Sequence, residues 1–451
     1  MKEVVIIGAG ITGLATALHL KKRGVGFIML DQACRTGGVI HTVTENGYTY
    51  EEGPNSGIIG NVEVLRLFNE LKGECELEEA SASNKKRYVL KGGKWHALPG
   101  GLFSAIGTPL FSLKDKFKVL SEPFRKAGKN PHETLADLVK RRLGKSFLDY
   151  AVDPFIIGIY AGDPDRLIPK YALPKLYYLE QNYGSFIKGT IKKAKEPKTE
   201  EEKRVTRGVF SVKGGFSNLI KALENKIEKK NIMLGISNLI VLPVEKHFLI
   251  SYTNQEGVHV EREAKKIIST IGAYNIEFFF PFVSHENISK INALHYTKVI
   301  EVAIGFDKWQ GMKLDAFGGL IPFKEKRDIL GILFMSALFE GKAPESGALF
   351  SVFLGGVRRP EIYNMNDNKI KEILEREFRG LMQINEFKPD LLKIMRHEWA
   401  IPQYEVDSPR RFEAVAEIEK QFPGLIIGGN LRNGIGMADR ILQARMLADS
   451  V

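Results

Sequence analysis

The chain has 451 residues, of which 44% are apolar, 26% charged and 10% aromatic, enough for two or three domains with buried cores. This balance excludes a disordered polymer, a coiled coil and a small disulfide scaffold. Lys and Arg number 65 against 54 Asp and Glu, and the resulting +11 suits nucleic acid, an acidic membrane surface or a carboxylate-bearing substrate.

Val4 to Ile7 form a continuous apolar run, as in a strand covered on both faces of a parallel sheet. GAGITG follows, with Gly8, Gly10 and Gly13 at dinucleotide spacing. Leu14, Ala17, Leu18 and Lys21 continue at helical spacing, and Val25 to Leu30 predict a second strand ending at Asp31. Residues 61–73 predict a helix with Val64, Leu65, Phe68 and Leu71 on one face. RYVLKGGKWHALP predicts a hairpin turning at Gly92-Gly93. Residues 111–195 are mostly helical in pattern, and 192–204 form a charged, solvated loop. A helix carrying Leu219, Leu223 and Ile227 comes next, then short strands to 273, further strands over 295–356 and a helix over 367–382. The chain closes with GLIIGGN (424–430), LRNGIGMAD (431–439) and a last helix starting at about Ile435.

Cys34 and Cys75 are too few for a disulfide framework, so a reducing, cytoplasmic setting is expected. After Met1-Lys2-Glu3 the chain enters VVIIGAG directly, which reads as a strand rather than as a targeting segment. No run reaches the roughly 18 consecutive apolar residues of a spanning helix, so any membrane contact is expected to be peripheral.

The helix opening at Gly13 presents unpaired backbone N–H groups and the positive end of its dipole. A Cβ at Gly10 would obstruct a pyrophosphate, and Asp31 stands where a carboxylate accepts from ribose hydroxyls. Arg35 and the Gly37-Gly38 pair of RTGG suit a larger dinucleotide, with Arg35 near its phosphates. Gly428, Gly429, Gly434 and Gly436 make a second strand-to-helix passage, able to aim a helix N-terminus at a flavin N1–C2 carbonyl. One chain end for the ADP half and the other for the isoalloxazine is the layout of an FAD protein. The nine histidines lack metal-ligand spacing, G-x-S-x-G and Walker A sequences are absent, and no nucleic-acid-binding context surrounds the basic residues, so metal and nucleic acid are not expected.

With GAGITG, RTGG and GPNS in place, the chain resembles the protoporphyrinogen oxidases, oxygen-using FAD enzymes of haem synthesis. Further segments carry the resemblance: DPFIIGIYAGDPDRLIPKYALPKL (153–176), GILFMSALFEGKAPESG (331–347), FLGGVRRPE (353–361), IPQY (401–404) and the closing GGN…GIG. The resemblance implies FAD on Gly8, Ala9, Gly10, Ile11, Thr12 and Gly13, with Asp31 on the ribose where the family more often has Glu. Arg35, Gly38, Val39, Gly53, Pro54, Asn55 and Ser56 would flank the cofactor, and Asn430, Ile435, Gly436 and Met437 would approach the flavin. Phe334 matches a family aromatic expected to stack on a substrate ring, and Gly158 to Gly162 would form a loop beside the pocket. Phe103 is a departure: some members carry an Arg there that can pair with a substrate propionate, so another cation or backbone donor must anchor the propionates. After IPQY, Asp407-Ser408 stand where many members have Gly-His.

The implied reaction is oxidation of protoporphyrinogen IX to protoporphyrin IX with dioxygen as acceptor and no named side-chain base. The alternatives are coproporphyrinogen III oxidation, another amine-oxidase-like activity, and a non-catalytic tetrapyrrole-binding flavoprotein. LPGGLFSAIGTPLF (98–111) beside Lys114 to Lys118 suits a peripheral dip into the inner face of the cell membrane. The expected fold class is α/β (α+β overall). A Rossmann-like FAD-binding domain is assigned to 1–80, 205–275 and 400–451. A mixed-sheet substrate domain takes 81–104 and 276–399, and a mainly helical, membrane-associating domain takes 105–204.

Overall fold

The apolar run near the start of the chain becomes strand β1 (Lys2–Ile7), in which Val4 to Ile7 are no more than 1% exposed. The computed structural model describes residues 2–82, 86–100, 104 and 107–451; Phe103 lies outside the described residues. β1 is parallel both to β2 (Phe27–Leu30) and to strand His259–Ser269, and Ile232–Met233 extends the sheet beyond β2. His259–Ser269 also takes Leu425–Ile427 in parallel and His247–Thr253 antiparallel, with Ser237–Val244 at the edge. Three distant stretches of chain thus share one sheet. Its two covered faces explain the unbroken apolar run. Leu14 of helix α1 (Ile11–Lys22), Leu219, Leu223 and Ile441 pack on one side, and Ile288, Ile291, Val415 and Ile418 on the other.

The second sheet runs in the order Leu391–Pro402, Tyr296–Phe306, Ala348–Gly355, Ile329–Phe334, Gly318–Leu320, Tyr88–Lys91 and Lys94–Ala97. The last two strands are the hairpin expected at Gly92-Gly93, where both glycines take positive φ (59° and 75°) that L side chains disfavour. Helix Asp367–Leu381 lies on one face and buries Ile370, Ile373, Leu374, Phe378 and Leu381, the stripe its sequence predicts. The other face meets the hairpin Thr42–Glu45/Tyr48–Glu51 through Tyr48, Tyr50 and Ala303.

Helices Leu113–Leu120, Leu135–Arg142, Asp153–Tyr160, Pro174–Tyr183 and Phe186–Ala194 make up most of the helical region. Its core of Leu135, Leu138, Ile156 and Tyr160 includes Tyr404 from the far end of the chain. Two details differ from the sequence expectation. Ile276, Phe279, Phe280, Ile288 and Ile291, expected with the second sheet, pack on the first, and the strands of the second sheet resume at Tyr296. The charged stretch 192–204 is exposed, yet Glu200–Lys203 is helical because Thr199 and Glu202 cap each other's backbone. Among the described residues no helix is long and apolar enough to cross a membrane.

Candidate functional site

The turn between β1 and α1 separates glycines needed for folding from a glycine that leaves room. Gly8 has φ +107°, and a Cβ on Gly13 would stand 2.0 Å from the Gly8 carbonyl oxygen, so both are fixed by the tight turn. A Cβ on Gly10 would meet nothing within 4 Å, so the start of α1 forms an open cradle. No acidic side chain occupies the first turn of α1, and Gly10 at its N-cap brings no capping side chain. The N–H groups around Ile11, Thr12 and Gly13 therefore open onto that cradle with the positive end of the helix dipole. Asp31 accepts from Ala9 N (2.5 Å) through one oxygen and from Ala33 N (2.8 Å) through the other. Half-buried, it keeps lone pairs for a diol beside the cradle.

The second turn packs against the first: Gly37 N donates to Ala9 O at 2.8 Å, and a Cβ on Gly38 would lie 3.3 Å from Gly10 Cα. Arg35, expected at the phosphates, donates Nη1 to the Thr36 and Ile40 carbonyls (3.2 and 3.0 Å) and so braces this turn. Val39 next to it is 67% exposed, an apolar side chain held out where a planar ring could cover it. A Cβ on Gly53 would stand 2.0 Å from Val39 O, so the GPNS segment crosses close behind. Asn55 there is buried. Its amide donates to Glu301 Oε1 (2.5 Å) and to Gly53 O (3.2 Å), and its oxygen accepts from Ser351 Oγ (2.6 Å). Burial pushes the Glu301 carboxyl above its ordinary range, against the opposing pull of His397 at 3.5 Å and of the Asn55 amide. This cluster, which the sequence did not reveal, ties the GPNS segment to the second sheet.

The two ends of the chain meet at Thr270. Its hydroxyl bonds to Ile7 O (3.2 Å) and Gly8 O (3.1 Å), and a Cβ on Gly429 would lie 3.2 Å from Thr270 O. The GGN…GIG passage therefore sits beside GAGITG. The last helix starts at Met437, not at Ile435, because Asp439 Oδ2 accepts from Gly436 N at 3.1 Å and closes the first turn there. Asn430 Oδ1 accepts from the Tyr296 hydroxyl at 2.9 Å. An extended dinucleotide such as FAD fits this set of residues: an open glycine cradle at a helix start, a diol-facing carboxylate, and an exposed valine before a second helix start.

The remaining motifs meet one another where residues 153–162 pack on the second sheet. A Cβ on Gly158 would touch Leu320 at 3.0 Å, and one on Gly162 would lie 2.5 Å from Gln403 Oε1. Gln403 Nε2 donates to Tyr160 O (2.9 Å), Val357 N donates to Ala161 O (2.9 Å), and Asp153 pairs with Arg358. Phe334, expected to stack on substrate, is fully buried on the helix-covered face, edge-on to Phe350 with ring centroids 5.8 Å apart. Strand alternation explains this. Phe334 pairs with Phe350, whereas the opposite face carries Phe353, set against Gly331 on one side and Glu301 on the other. Phe353 is partly exposed and lies on the face that holds Asn55.

Residues 11–442 match the family described as flavin containing amine oxidoreductase, and the chain belongs to that family. Protoporphyrinogen oxidase 2 of Arabidopsis thaliana is 28% identical over 479 residues, spanning 100% of this chain and 94% of the relative. The coproporphyrinogen III oxidase of Bacillus subtilis is 26% identical, spanning 98% and 96%. In fold the chain is similar to the crystal structure of a provisionally assigned protoporphyrinogen oxidase from Exiguobacterium sp. 255-15 (TM-score 0.82, 21% identity, 100% and 98% covered). The protein is thus an oxidoreductase with FAD as its cofactor.

Proposed function

We propose that this flavoprotein oxidises protoporphyrinogen IX to protoporphyrin IX with dioxygen as acceptor, in porphyrin and haem synthesis. The contacts of residues 158–162 with Leu320 and Gln403, and the sheet face that Phe353 and Leu333 share with Asn55, carry the reading, because nucleotide binding alone requires none of them. The names of the full-length relatives support it.

FAD would be held by residues 8–13, Asp31, Val39, residues 53–56, Asn430 and residues 435–437. When bound, it accepts two electrons at a time, so loss of six hydrogens from the porphyrinogen takes three rounds, each ending in hydrogen peroxide. The chain's own part is positional. Phe353 offers a ring face, Leu320 and Leu333 keep water from the macrocycle, and the buried Glu301–Asn55–Ser351 chain fixes the wall behind them. The purified protein should generate porphyrin fluorescence in air from protoporphyrinogen IX faster than from coproporphyrinogen III. The reverse preference would move it to the substrate with four propionates, and no fluorescence from either with FAD bound would overturn the reading.

Phe353→Ala should lower kcat/KM by roughly 10- to 100-fold while FAD content stays at the wild-type level. Phe334→Ala should instead lose about 3–5 kcal/mol of stability through the cavity it leaves. Equal activity losses in two equally stable variants would contradict this assignment of faces.

We also propose a peripheral contact with the inner face of the cell membrane. Leu113, Phe117, Leu120 and Phe124 recur at helical spacing on one exposed stripe, with Phe117 at 70% and Phe124 at 85% exposure. Lys188 lies over the Phe124 ring at 5.4 Å, on a helix that also carries exposed Ile191, Lys192 and Lys193. Each inserted apolar side chain contributes about 1–2 kcal/mol, with anionic headgroups drawing the lysines. The protein should co-sediment with anionic phospholipid vesicles, less so at high salt, and Phe117→Glu with Phe124→Glu should abolish this without loss of FAD. Equal partition of wild type and variant would refute it.

A further inference from the structure

The turn between the last strand and the last helix is held from the protein side along its whole length. The Tyr404 hydroxyl lies 2.9 Å from the Asn430 carbonyl and 3.1 Å from that of Gly434. Arg411 Nε donates to Leu431 O at 2.9 Å, and Arg440 Nη2 donates to the carbonyls of both Arg432 and Asn433 at 2.9 Å. Tyr404, Arg411 and Arg440 are all buried, so five consecutive carbonyls are engaged by interior side chains.

Arg440 differs from the others. Arg411 has the Asp407 carboxylate at 3.0 Å, but among the described residues Arg440 has no carboxylate oxygen within 4.0 Å of its guanidinium. Its hydrogen-bond acceptors are the two carbonyls and Gln443 Oε1 (2.8 Å), and its Nε has no hydrogen-bond partner among the described residues. It is also the fourth residue of helix Met437–Asp449, where the helix's own positive end disfavours a cation. Burial accordingly pulls its pKa down from the ordinary arginine range. Neutral donors suffice to anchor a turn, as Tyr404 and Gln443 Nε2 (3.3 Å from Arg432 O) do here. A buried, unpaired charge at the unfavourable end of a helix therefore calls for a purpose beyond anchoring.

We infer that Arg440 is a positioning residue with an electrostatic task. It fixes the backbone at residues 432–433 and sets a buried positive charge, with no direct ion pair and only the more distant Asp439 opposing it, behind the turn that meets the flavin, so that the more negative, reduced cofactor is favoured. The inference rests on the reading of residues 430–437 as the flavin end of the site.

The experiment measures FAD affinity and the two-electron midpoint potential of the purified holoenzyme and three variants. Arg440→Met should shift the balance of oxidised to reduced cofactor roughly 10-fold toward oxidised, a potential lower by about 30 mV. Arg440→Lys, which keeps the charge but cannot span both carbonyls, should hold the wild-type potential and bind FAD roughly 10-fold more weakly. Tyr404→Phe, which removes an anchor without changing charge, should likewise weaken binding and leave the potential unchanged. An Arg440→Met potential equal to wild type, or equal shifts in all three variants, overturns the inference. If Arg440→Met does not accumulate, a lowered potential in Arg440→Lys does so. Wild-type protein that binds no FAD would instead refute the underlying site.

Discussion

Gly10→Val should yield a folded protein that purifies without flavin absorbance. Gly10 has φ −74° and ψ 178°, extended backbone that valine adopts readily, and its Cβ would meet no atom within 4 Å. The first side-chain carbon of valine therefore meets no obstacle, and the folding cost is confined to the loss of a good N-cap residue, about 1 kcal/mol. The space it fills is the cradle before the first turn of α1, where a pyrophosphate must approach the helix N–H groups. Affinity for FAD should fall by at least about 100-fold, roughly 2.7 kcal/mol, with circular dichroism and melting close to those of wild-type apoprotein. Gly13→Ala makes the contrast. Its Cβ would stand 2.0 Å from the Gly8 carbonyl, so the turn itself must open and the first sheet with it. That variant should melt at least about 5 °C lower than Gly10→Val. A yellow Gly10→Val protein with wild-type FAD content would place the pyrophosphate elsewhere.

The contrast between these two glycines marks what the sequence could and could not convey. Gly8, Gly10, Gly13 and Asp31 were legible because strand, turn, helix and second strand follow one another within the first 31 residues, and local spacing dictates their geometry. The same holds for helix Asp367–Leu381, whose apolar period is self-contained. The face that Phe334 takes was not legible, because resemblance identifies a segment but not which face of a sheet each residue takes. That parity depends on strands paired from residues 296 to 402. The Asn55–Glu301 contact joins residues 246 positions apart, and Tyr404 reaches the 430–434 turn across an intervening helix and strand. Polar contacts of this kind leave no period in the sequence. The sheet taken by the helices before Tyr296 was hidden for a related reason: they are amphipathic, and either sheet could have taken their apolar faces.

Arg142→Met should remove about 3–5 kcal/mol of stability from the helical region while leaving the flavin turn intact. Arg142 is fully buried at the end of helix Leu135–Arg142. It donates Nε to Glu180 (2.6 Å), Nη1 to the Glu122 and Arg125 carbonyls (3.2 and 3.1 Å) and Nη2 to the Gly184 carbonyl (2.6 Å). Glu122 in turn accepts from Ser185 Oγ and from the N–H groups of Phe186 and Ile187, so one guanidinium unites two turns and three helices. Methionine fills much of the volume but takes the buried cation away from both carboxylates, leaving Glu122 with only its Ser185, Phe186 and Ile187 donors and Glu180 with Arg141 and the Gly128 N–H. Burial alone would raise the Glu180 carboxyl, but Arg141, the Gly128 N–H and Arg142 together hold it below the ordinary carboxylate range. A depressed pKa contributes stability that is present at neutral pH and lost as pH falls through the folded value. The wild-type helical region should therefore loosen on acidification, and Arg142→Met should show a shallower acid dependence from a lower starting stability. Hydrogen exchange resolves the two regions: protection should drop in 113–194 and persist in β1 and α1. The Phe124 turn hangs from the Glu122 carbonyl that Arg142 holds, so vesicle binding should weaken in this variant although no surface residue has changed. Uniform loss of protection across both sheets would show instead that the helical region and the flavin domain unfold as one cooperative unit.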